Sequence, residues 1–250
     1  MRRVAALAIG TGLWVLCHGL FASEPSLFQQ ANAKYQAGDF KSSADLYQKI
    51  IGTGHASSTV HYNLGNATLR LGQKGEALLY YERALKASPR DKDLRWNIQV
   101  LKNALSDRIE DKSSNPLYTP IEKVLDLFTQ DELALSLGAA LAAWALLALL
   151  GCFFAALRAA VGFFRMWALL FIFISAASLG LKWTQTKDPL AVILEKETTS
   201  YYGPSDRETK AFVLHEGAEG KILDESGDWV YIALKNKNTG WIRKNACEII

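Results

Sequence analysis

The chain has 250 residues, half of them apolar, and its formal net charge is +3. That charge is too small for a nucleic-acid-binding surface, and no local block of lysine or arginine supplies one. The three cysteines, at positions 17, 152 and 247, lie too far apart to indicate a disulfide framework or a metal site. Apolar residues are concentrated at the amino terminus and between residues 133 and 181, whereas the remainder has the composition of soluble protein.

The amino terminus has the residue order of a secretory signal. Two arginines precede an apolar run, which ends in small residues at Ala22 and Ser23. This order predicts a signal peptide over residues 1–22 that is cleaved after Ala22. An uncleaved signal anchor is the alternative. Both interpretations predict that the chain after Ser23 is exported.

A 34-residue period follows the signal and relates Gly38 to Gly72 and Tyr47 to Tyr81. In its second copy the pattern predicts two antiparallel helices joined by a tight turn. Small residues let the two helices approach closely, glycine suits the turn, and proline ends the second helix. The positions that carry this pattern are Leu64, Gly65, Gly72, Ala77, Tyr81, Ala84 and Pro89.

This spacing resembles the tetratricopeptide repeat, and residues 24–105 are predicted to form an all-α stack of such repeats. The first copy fits more loosely, and a third helix, over about residues 92–105, is expected to cap the stack. Neighbouring repeats share one core and present a concave face to partners. The resemblance implies peptide binding by polar residues of the inner helices, namely Asn32, Asn63, Asn66 and Arg70.

Residues 106–132 are predicted to form a linker and an amphipathic helix. The first part is polar, and in the second part Ile121, Val124 and Phe128 recur at helical spacing among charged residues. Such a helix is expected either to lie along a membrane surface or to pack on the repeats, since both environments require one apolar face.

Residues 133–183 are predicted to form a transmembrane hairpin of two helices. The run 133–157 is uncharged and long enough to cross a hydrocarbon layer of about 30 Å, and a second run, 166–181, ends beside Lys182. Arg158 and Arg165 are expected in the turn between them. A buried hairpin in a soluble protein is the alternative. The spans contain no acidic residue or histidine, so the hairpin is expected to be an anchor and not a transport path.

The distribution of positive charges does not determine the orientation of this hairpin, because lysines flank the ends opposite the two arginines. The predicted export signal does determine it. If the chain after Ser23 is exported, the turn lies in the cytoplasm and both flanking domains lie outside. The sequence therefore predicts a protein of the bacterial inner membrane whose repeats and carboxyl-terminal domain face the periplasm.

Residues 188–250 are predicted to form a small all-β barrel of five short strands separated by turn residues. Four ordered features resemble a bacterial SH3 domain, namely Tyr202-Gly203-Pro204-Ser205, Leu214-x-Glu216-Gly217, Leu223-x5-Trp229-Val230 and Gly240-Trp241-Ile242. Exposed aromatic residues on such a barrel are candidates for binding a peptide or glycan, whereas Trp229 and Trp241 are expected in the core. The candidates are Tyr201, Tyr202 and Tyr231.

The sequence contains no catalytic triad, metal motif or phosphate-binding loop, so neither an enzyme nor a cofactor is expected. The order of signal, repeats, hairpin and SH3-like domain resembles the BatE proteins of Bacteroides-type aerotolerance operons. That resemblance implies a scaffold for Bat-type proteins with von Willebrand domains and, indirectly, for a MoxR-type ATPase. The alternative is a module that binds peptidoglycan and recruits an envelope hydrolase.

Overall fold

The computed structural model describes residues 26–107, 119–154, 156 and 158–250. The predicted signal peptide and residues 108–118 of the predicted linker lie outside this part of the chain. The helices in the described part are α1 (Leu27–Gln36), α2 (Phe40–Gly52), α3 (Ser58–Arg70), α4 (Lys74–Ala87), α5 (Lys92–Asn103), α6 (Thr119–Leu125), α7 (Gln130–Phe153) and α8 (Arg158–Thr186). The strands are β1 (Leu190–Ile193), β2 (Glu197–Tyr201), β3 (Lys210–His215), β4 (Glu219–Ser226), β5 (Trp229–Leu234), β6 (Thr239–Arg243) and β7 (Cys247–Ile249).

Helices α1 to α5 form an antiparallel stack that agrees with the predicted repeats. Gly38 and Gly72 end α1 and α3 in the left-handed region, at φ 80° and 81°, where glycine has no steric penalty. Most of the helices begin at a capping oxygen that accepts a backbone N–H three residues ahead, which satisfies one otherwise free donor. The capping residues in the stack are Ser26, Asp39, Ser57 and Asp91.

The core of the stack explains the small residues of the repeat pattern. A Cβ atom on Gly65 would lie 2.6 Å from Cδ1 of Tyr81 and 3.2 Å from the carbonyl oxygen of Ala77. Tyr81 is 1% exposed, so its ring has little room to move. Glycine at position 65 therefore sets the close approach of α3 to α4, and the tyrosine ring fills the space beside it.

The seven strands form one antiparallel sheet in the order β3-β2-β6-β5-β4-β1-β7. Five strands were predicted, and β2 and β7 are additional. β3 pairs only with β2, and β7 only with β1, so the sheet is open between its two edge strands within the described residues. The predicted closed barrel is therefore not confirmed, although the all-β character of the region is.

Strand β1 joins the sheet to the repeats because both of its faces are buried. Ala191 and Ile193 pack into the core of the sheet. Val192, which points to the opposite face as alternate strand residues do, packs among the buried side chains of α4 and α5. The sheet thus packs on α4 and α5, and the repeats and sheet form one packed unit.

A carboxylate from the sheet caps a repeat helix. The residue preceding α4, Gln73, makes no side-chain capping bond. Instead the backbone N–H of Gly75 donates to Oε1 of Glu216 at 2.7 Å. A Cβ atom at position 75 would lie 2.6 Å from the carbonyl oxygen of Ile193, so only glycine permits this approach. The Glu216-Gly217 segment of the SH3-like pattern therefore serves as a docking point for the repeats.

Helices α7 and α8 form an antiparallel pair, and each is long and apolar enough to cross a membrane. At the open end of this hairpin, Nε2 of Gln130 donates to Oγ1 of Thr186 at 2.5 Å. At the other end the structure differs from the expectation for the turn. Helix α8 already begins at Arg158, so Arg165 lies about two turns inside the helix. No proline separates these two arginines, and the single glycine between them, Gly162, does not interrupt the helix.

Helix α6 and the loop after it contact both the repeats and the hairpin. Nη2 of Arg95 donates to the carbonyl oxygen of Asp126 at 2.9 Å, and Nζ of Lys182 lies 3.1 Å from Oδ1 of the same aspartate. Ile121 and Val124 on the apolar face are 48% and 57% exposed, whereas Leu125 is buried and the Phe128 ring centroid lies 5.6 Å from the guanidinium carbon of Arg90. The apolar face is therefore partly covered, and the turn after α6 makes the contacts with the repeats.

Candidate functional site

The inner face of the stack is built by the first helix of each unit, α1, α3 and α5. Nδ2 of Asn63 on α3 donates to Oδ1 of Asn32 on α1 at 3.4 Å. Nδ2 of Asn97 on α5 donates to the hydroxyl oxygen of Tyr62 on α3 at 2.9 Å. These bonds place the three helices side by side, so that their polar residues form one continuous surface.

Two of the predicted binding residues make the same contact one repeat apart. The hydroxyl of Tyr47 donates to Oδ1 of Asn32 at 2.5 Å, and that of Tyr81 donates to Oδ1 of Asn66 at 2.6 Å. Burial raises the pKa of both tyrosines, so both hydroxyls stay protonated donors at neutral pH. Each tyrosine hydroxyl occupies the side-chain oxygen of its asparagine. The NH₂ group of Asn66 is therefore oriented away from Tyr81 and makes no hydrogen bond within the described residues.

Aromatic residues repeat along the inner face with the same period. Phe28 contacts Tyr47 edge-on with ring centroids 6.0 Å apart, and Tyr62 lies 5.7 Å from Tyr81 in the next unit. The third position of this series is Trp96, which has no following tyrosine and is 70% exposed. The sequence interpretation did not include Trp96 among the binding residues, although its distance of one period from Tyr62 is the signal that identifies it.

Arg70 is the remaining predicted binding residue and lies at the carboxyl end of α3. Its guanidinium carbon lies 4.9 Å from the centroid of the Phe40 ring, a cation–π contact that orients the side chain. Arg70 makes no ion pair with a carboxylate in the described residues. The inner face, defined here by Asn32, Asn66, Arg70 and Trp96, therefore combines amide groups, one unpaired cation and one exposed indole. Such a surface can hydrogen-bond an extended backbone and bury an apolar side chain.

A second surface lies on the outer side of the sheet. Trp241 on β6 pairs with both Tyr201 on β2 and Tyr231 on β5, so three aromatic residues lie side by side on neighbouring strands. The rings of Tyr231 and Trp241 are 5.1 Å apart. Tyr202, the next residue along the chain from Tyr201, is 69% exposed. Two of the predicted barrel residues, Tyr201 and Tyr231, are thus brought together, and Trp241, predicted in the core, is half-buried on this outer row because its neighbour Ile242 points inward.

A buried group of charges lies where the sheet meets the repeats. Nζ of Lys102 lies 2.7 Å from Oε1 of both Glu82 and Glu219, and Nζ of Lys235 lies 3.5 Å from Oε2 of Glu219. Desolvation raises the pKa of Glu82. Desolvation acts in the same direction on Glu219, but Lys102 and Lys235 outweigh it and lower the pKa of Glu219. This charge cluster, defined by Lys102, Glu82 and Glu219, joins α4, α5 and β4.

The ionisable groups in the part of the chain that the structure describes include an imidazole–carboxylate pair, in which Nδ1 of His215 lies 2.8 Å from Oδ1 of Asp107. No group of three or more His, Cys, Asp or Glu side chains there is arranged to hold a metal ion. His61 stacks on Tyr80, and its buried Nδ1 atom has no partner among the described residues. Burial, followed by the charge of Arg83, lowers the pKa of His61, so the imidazole is neutral at pH 7. A cavity of about 410 Å³ between α2 and the start of α4 is lined mainly by polar residues, among them Asp45, Gln48 and Glu76.

Comparison with known families identifies one of the repeats. Residues 58–91, which contain α3, α4 and the turn between them, match the tetratricopeptide repeat family. No curated protein matches the chain. Repeats of this family form stacked helices that bind other proteins, so the match favours a protein–protein interaction module.

Proposed function

We propose that this protein is a membrane-anchored scaffold whose inner face binds an extended segment of a partner protein. The observation that carries the proposal is the continuous surface of α1, α3 and α5 within a stack that contains a tetratricopeptide repeat. The exposed indole of Trp96 and the unpaired guanidinium of Arg70 lie on that surface. The two long apolar helices supply the anchor. The proposal assigns no reaction to the chain.

The finer parts of the proposal concern location and partners. The residue order at the amino terminus and the two apolar helices support the bacterial inner membrane, with the repeats and sheet in the periplasm. The domain order supports Bat-type proteins with von Willebrand domains as the partners, and a MoxR-type ATPase as a more distant member of the assembly. These assignments rest on the resemblance of the whole chain to the BatE proteins. Capture of partner proteins from native membranes tests them together with the binding surface.

Removing exposed groups from the inner face should abolish partner capture without unfolding the protein. We expect the Trp96→Ala and Arg70→Ala variants to lose at least tenfold in affinity, since a desolvated tryptophan or arginine often supplies 2 kcal/mol or more at an interface. The measurement is cross-linking and pull-down from native membranes with the full chain, followed by titration of the captured protein.

The matched control for these variants is Leu71→Ala. Leu71 is 42% exposed but lies beside the cavity near α2 and not on the inner face. This variant should capture the partner as the native chain does. If every captured protein binds the three variants equally, the inner face is not the binding surface. If a Bat-type protein is absent from the captured set, the proposed partners are wrong.

A second function is favoured by the aromatic row on the sheet, which offers flat rings for stacking against sugars of the cell wall. The full chain in detergent should co-sediment with purified peptidoglycan, and Tyr202→Ala should reduce the bound fraction severalfold because that ring is the most exposed of the group. Val213→Ala, on the edge strand β3 and 44% exposed, is the control. Absence of co-sedimentation removes this function.

A further inference from the structure

Arg165 is a cation inside α8, whose other charged residues, Arg158 and Lys182, lie towards the ends of the helix. It lies about two turns into α8, and the residues on either side of it along the helix are Phe164 and Met166. The cost of placing a charge in hydrocarbon is several kcal/mol, so such residues in membrane spans are paired or functional. The partner of Arg165 within the hairpin is the Trp144 ring, whose centroid is 4.9 Å from the guanidinium carbon.

The position of Trp144 shows how deep this charge is held. The apolar part of α7 runs from Leu133 to Phe153, a length of roughly 30 Å, and Trp144 is near its middle. A side chain that reached for lipid headgroups from position 165 would extend towards the turn that precedes Arg158. The guanidinium of Arg165 contacts the central ring instead, so its charge stays within the apolar layer.

The polar groups at this position have no acceptor in the described residues. Nε of Arg165 and Nε1 of Trp144 are both buried and without a hydrogen-bond partner. Within the described residues the carboxylates of the two helices lie in the first turn of α7, at the opposite end of the hairpin, where Glu132 pairs with Arg90 and Asp126 of the preceding loop pairs with Lys182. One positive charge and two N–H donors thus face each other without an oxygen atom to receive them, which is costly in a low-dielectric layer.

We infer that Arg165 and Trp144 form a docking site for a transmembrane helix of a partner protein that carries a carboxylate at mid-membrane depth. The carboxylate supplies the negative charge that the guanidinium of Arg165 lacks. A second copy of this chain would bring a second arginine to the same depth and would repel the first, so the partner is a different protein. This inference rests on the proposed membrane anchoring of the hairpin.

A synthetic transmembrane peptide tests this inference directly. The full chain, with Cys17 and Cys247 replaced by serine, is labelled at the exposed Cys152 and reconstituted in lipid vesicles. The probe is a leucine–alanine helix of about 20 residues with lysine ends, one central glutamate and an acceptor dye. The reference probe has leucine in place of the glutamate. Energy transfer should show roughly three- to tenfold tighter association with the glutamate probe, the range expected for one polar contact between membrane helices.

Substitutions of the two arginines show which residue causes the preference for the glutamate probe. Arg165→Leu should abolish the difference between the two probes, and Arg165→Lys should retain part of it because the charge remains. Arg158→Leu, which removes the arginine at the turn, should leave the difference unchanged. If Arg158→Leu abolishes it instead, or if the native chain does not distinguish the probes, the inference is wrong.

A separate measurement distinguishes this inference from the anchoring on which it rests. Alkaline carbonate should leave the native chain and the Arg165→Leu variant in the membrane fraction, since both keep two long apolar helices. Release of the native chain would contradict the membrane anchor and the docking site together. Retention in the membrane without a preference for the glutamate probe would contradict the docking site alone.

Discussion

Replacing Lys102 with methionine is expected to lower the free energy of unfolding of the repeat–sheet unit by about 3–5 kcal/mol, the cost of leaving buried carboxylates without their cation. Glu82 and Glu219 each lie 2.7 Å from Nζ of Lys102, and Glu219 is only 9% exposed. Methionine keeps the length and apolar stem of lysine, so the loss reflects the charge and not the packing. Hydrogen exchange of the backbone amides of β1 and α5 measures this loss of stability, since local opening there should become at least a hundredfold more frequent.

The same variant should regain stability as the pH falls. In the native chain the pKa of Glu82 is raised by desolvation, so the folded state binds an extra proton and is favoured as the pH falls through that pKa. Glu219 behaves in the opposite sense, because Lys102 and Lys235 outweigh desolvation and lower its pKa. Without Lys102 desolvation dominates at both carboxyl groups, so both should take up protons. The protection factors of the β1 and α5 amides, which correct for the intrinsic pH dependence of exchange, should therefore rise in the variant as the pH falls.

Lys235→Met is the matched control for the charge cluster. Lys235 approaches Glu219 at 3.5 Å, but its side chain is 49% exposed, so this pair is screened by solvent. Its loss should change the stability by about 1 kcal/mol or less. Equal effects of the two lysine variants, or a Lys102→Met variant whose stability falls at low pH, would contradict the role assigned to the cluster.

Replacing Gly65 with valine is expected to destabilise the repeat stack by about 1–3 kcal/mol or more, as overpacking of a close helix contact does. The first added carbon would already lie 2.6 Å from the buried Tyr81 ring, and that ring is held by its bond to Asn66. The helices α3 and α4 would have to separate, or the tyrosine would have to leave the core. The loss of helical circular dichroism with urea, measured on the full chain in detergent, should shift to lower concentration.

Gly52→Ala is the matched control for this glycine. Gly52 also lies in a helix, but a Cβ atom there would meet nothing within 4 Å. Alanine should be neutral at that position or stabilise α2 by up to about 1 kcal/mol, because it has the higher helix propensity. Loss of stability in the Gly52 variant equal to that in Gly65→Val would contradict the role assigned to the contact between Gly65 and Tyr81.

The two helical regions were predictable because each depends on residues that are close in the chain. The period that relates Gly38 to Gly72 predicted the paired helices and their turns, and the uncharged runs predicted two long apolar helices. The same period contained the signal for Trp96, one repeat after Tyr62. The two arginines before the second run were harder to interpret, because Arg165 was expected in the turn whereas the helix begins at Arg158 and continues through it.

Contacts between the predicted regions had no signal in the sequence. Glu216 was part of a loop pattern, yet it caps α4, and Lys102 belonged to a capping helix, yet it binds a carboxylate from β4. The open form of the sheet and its two additional strands depend on which strand edges form hydrogen bonds with each other. The burial of Val192 against the repeats depends on which face of β1 meets α4 and α5.

The sequence by itself therefore determined the helical repeats, the apolar helices and the all-β character of the carboxyl-terminal region. Periodicity and long uncharged runs require only the geometry of one helix or strand. The tertiary structure alone decided that the repeats and sheet share a core, and that Arg165 lies against Trp144. These contacts join residues far apart in the chain, and the partners are selected by shape and charge only after the elements have formed.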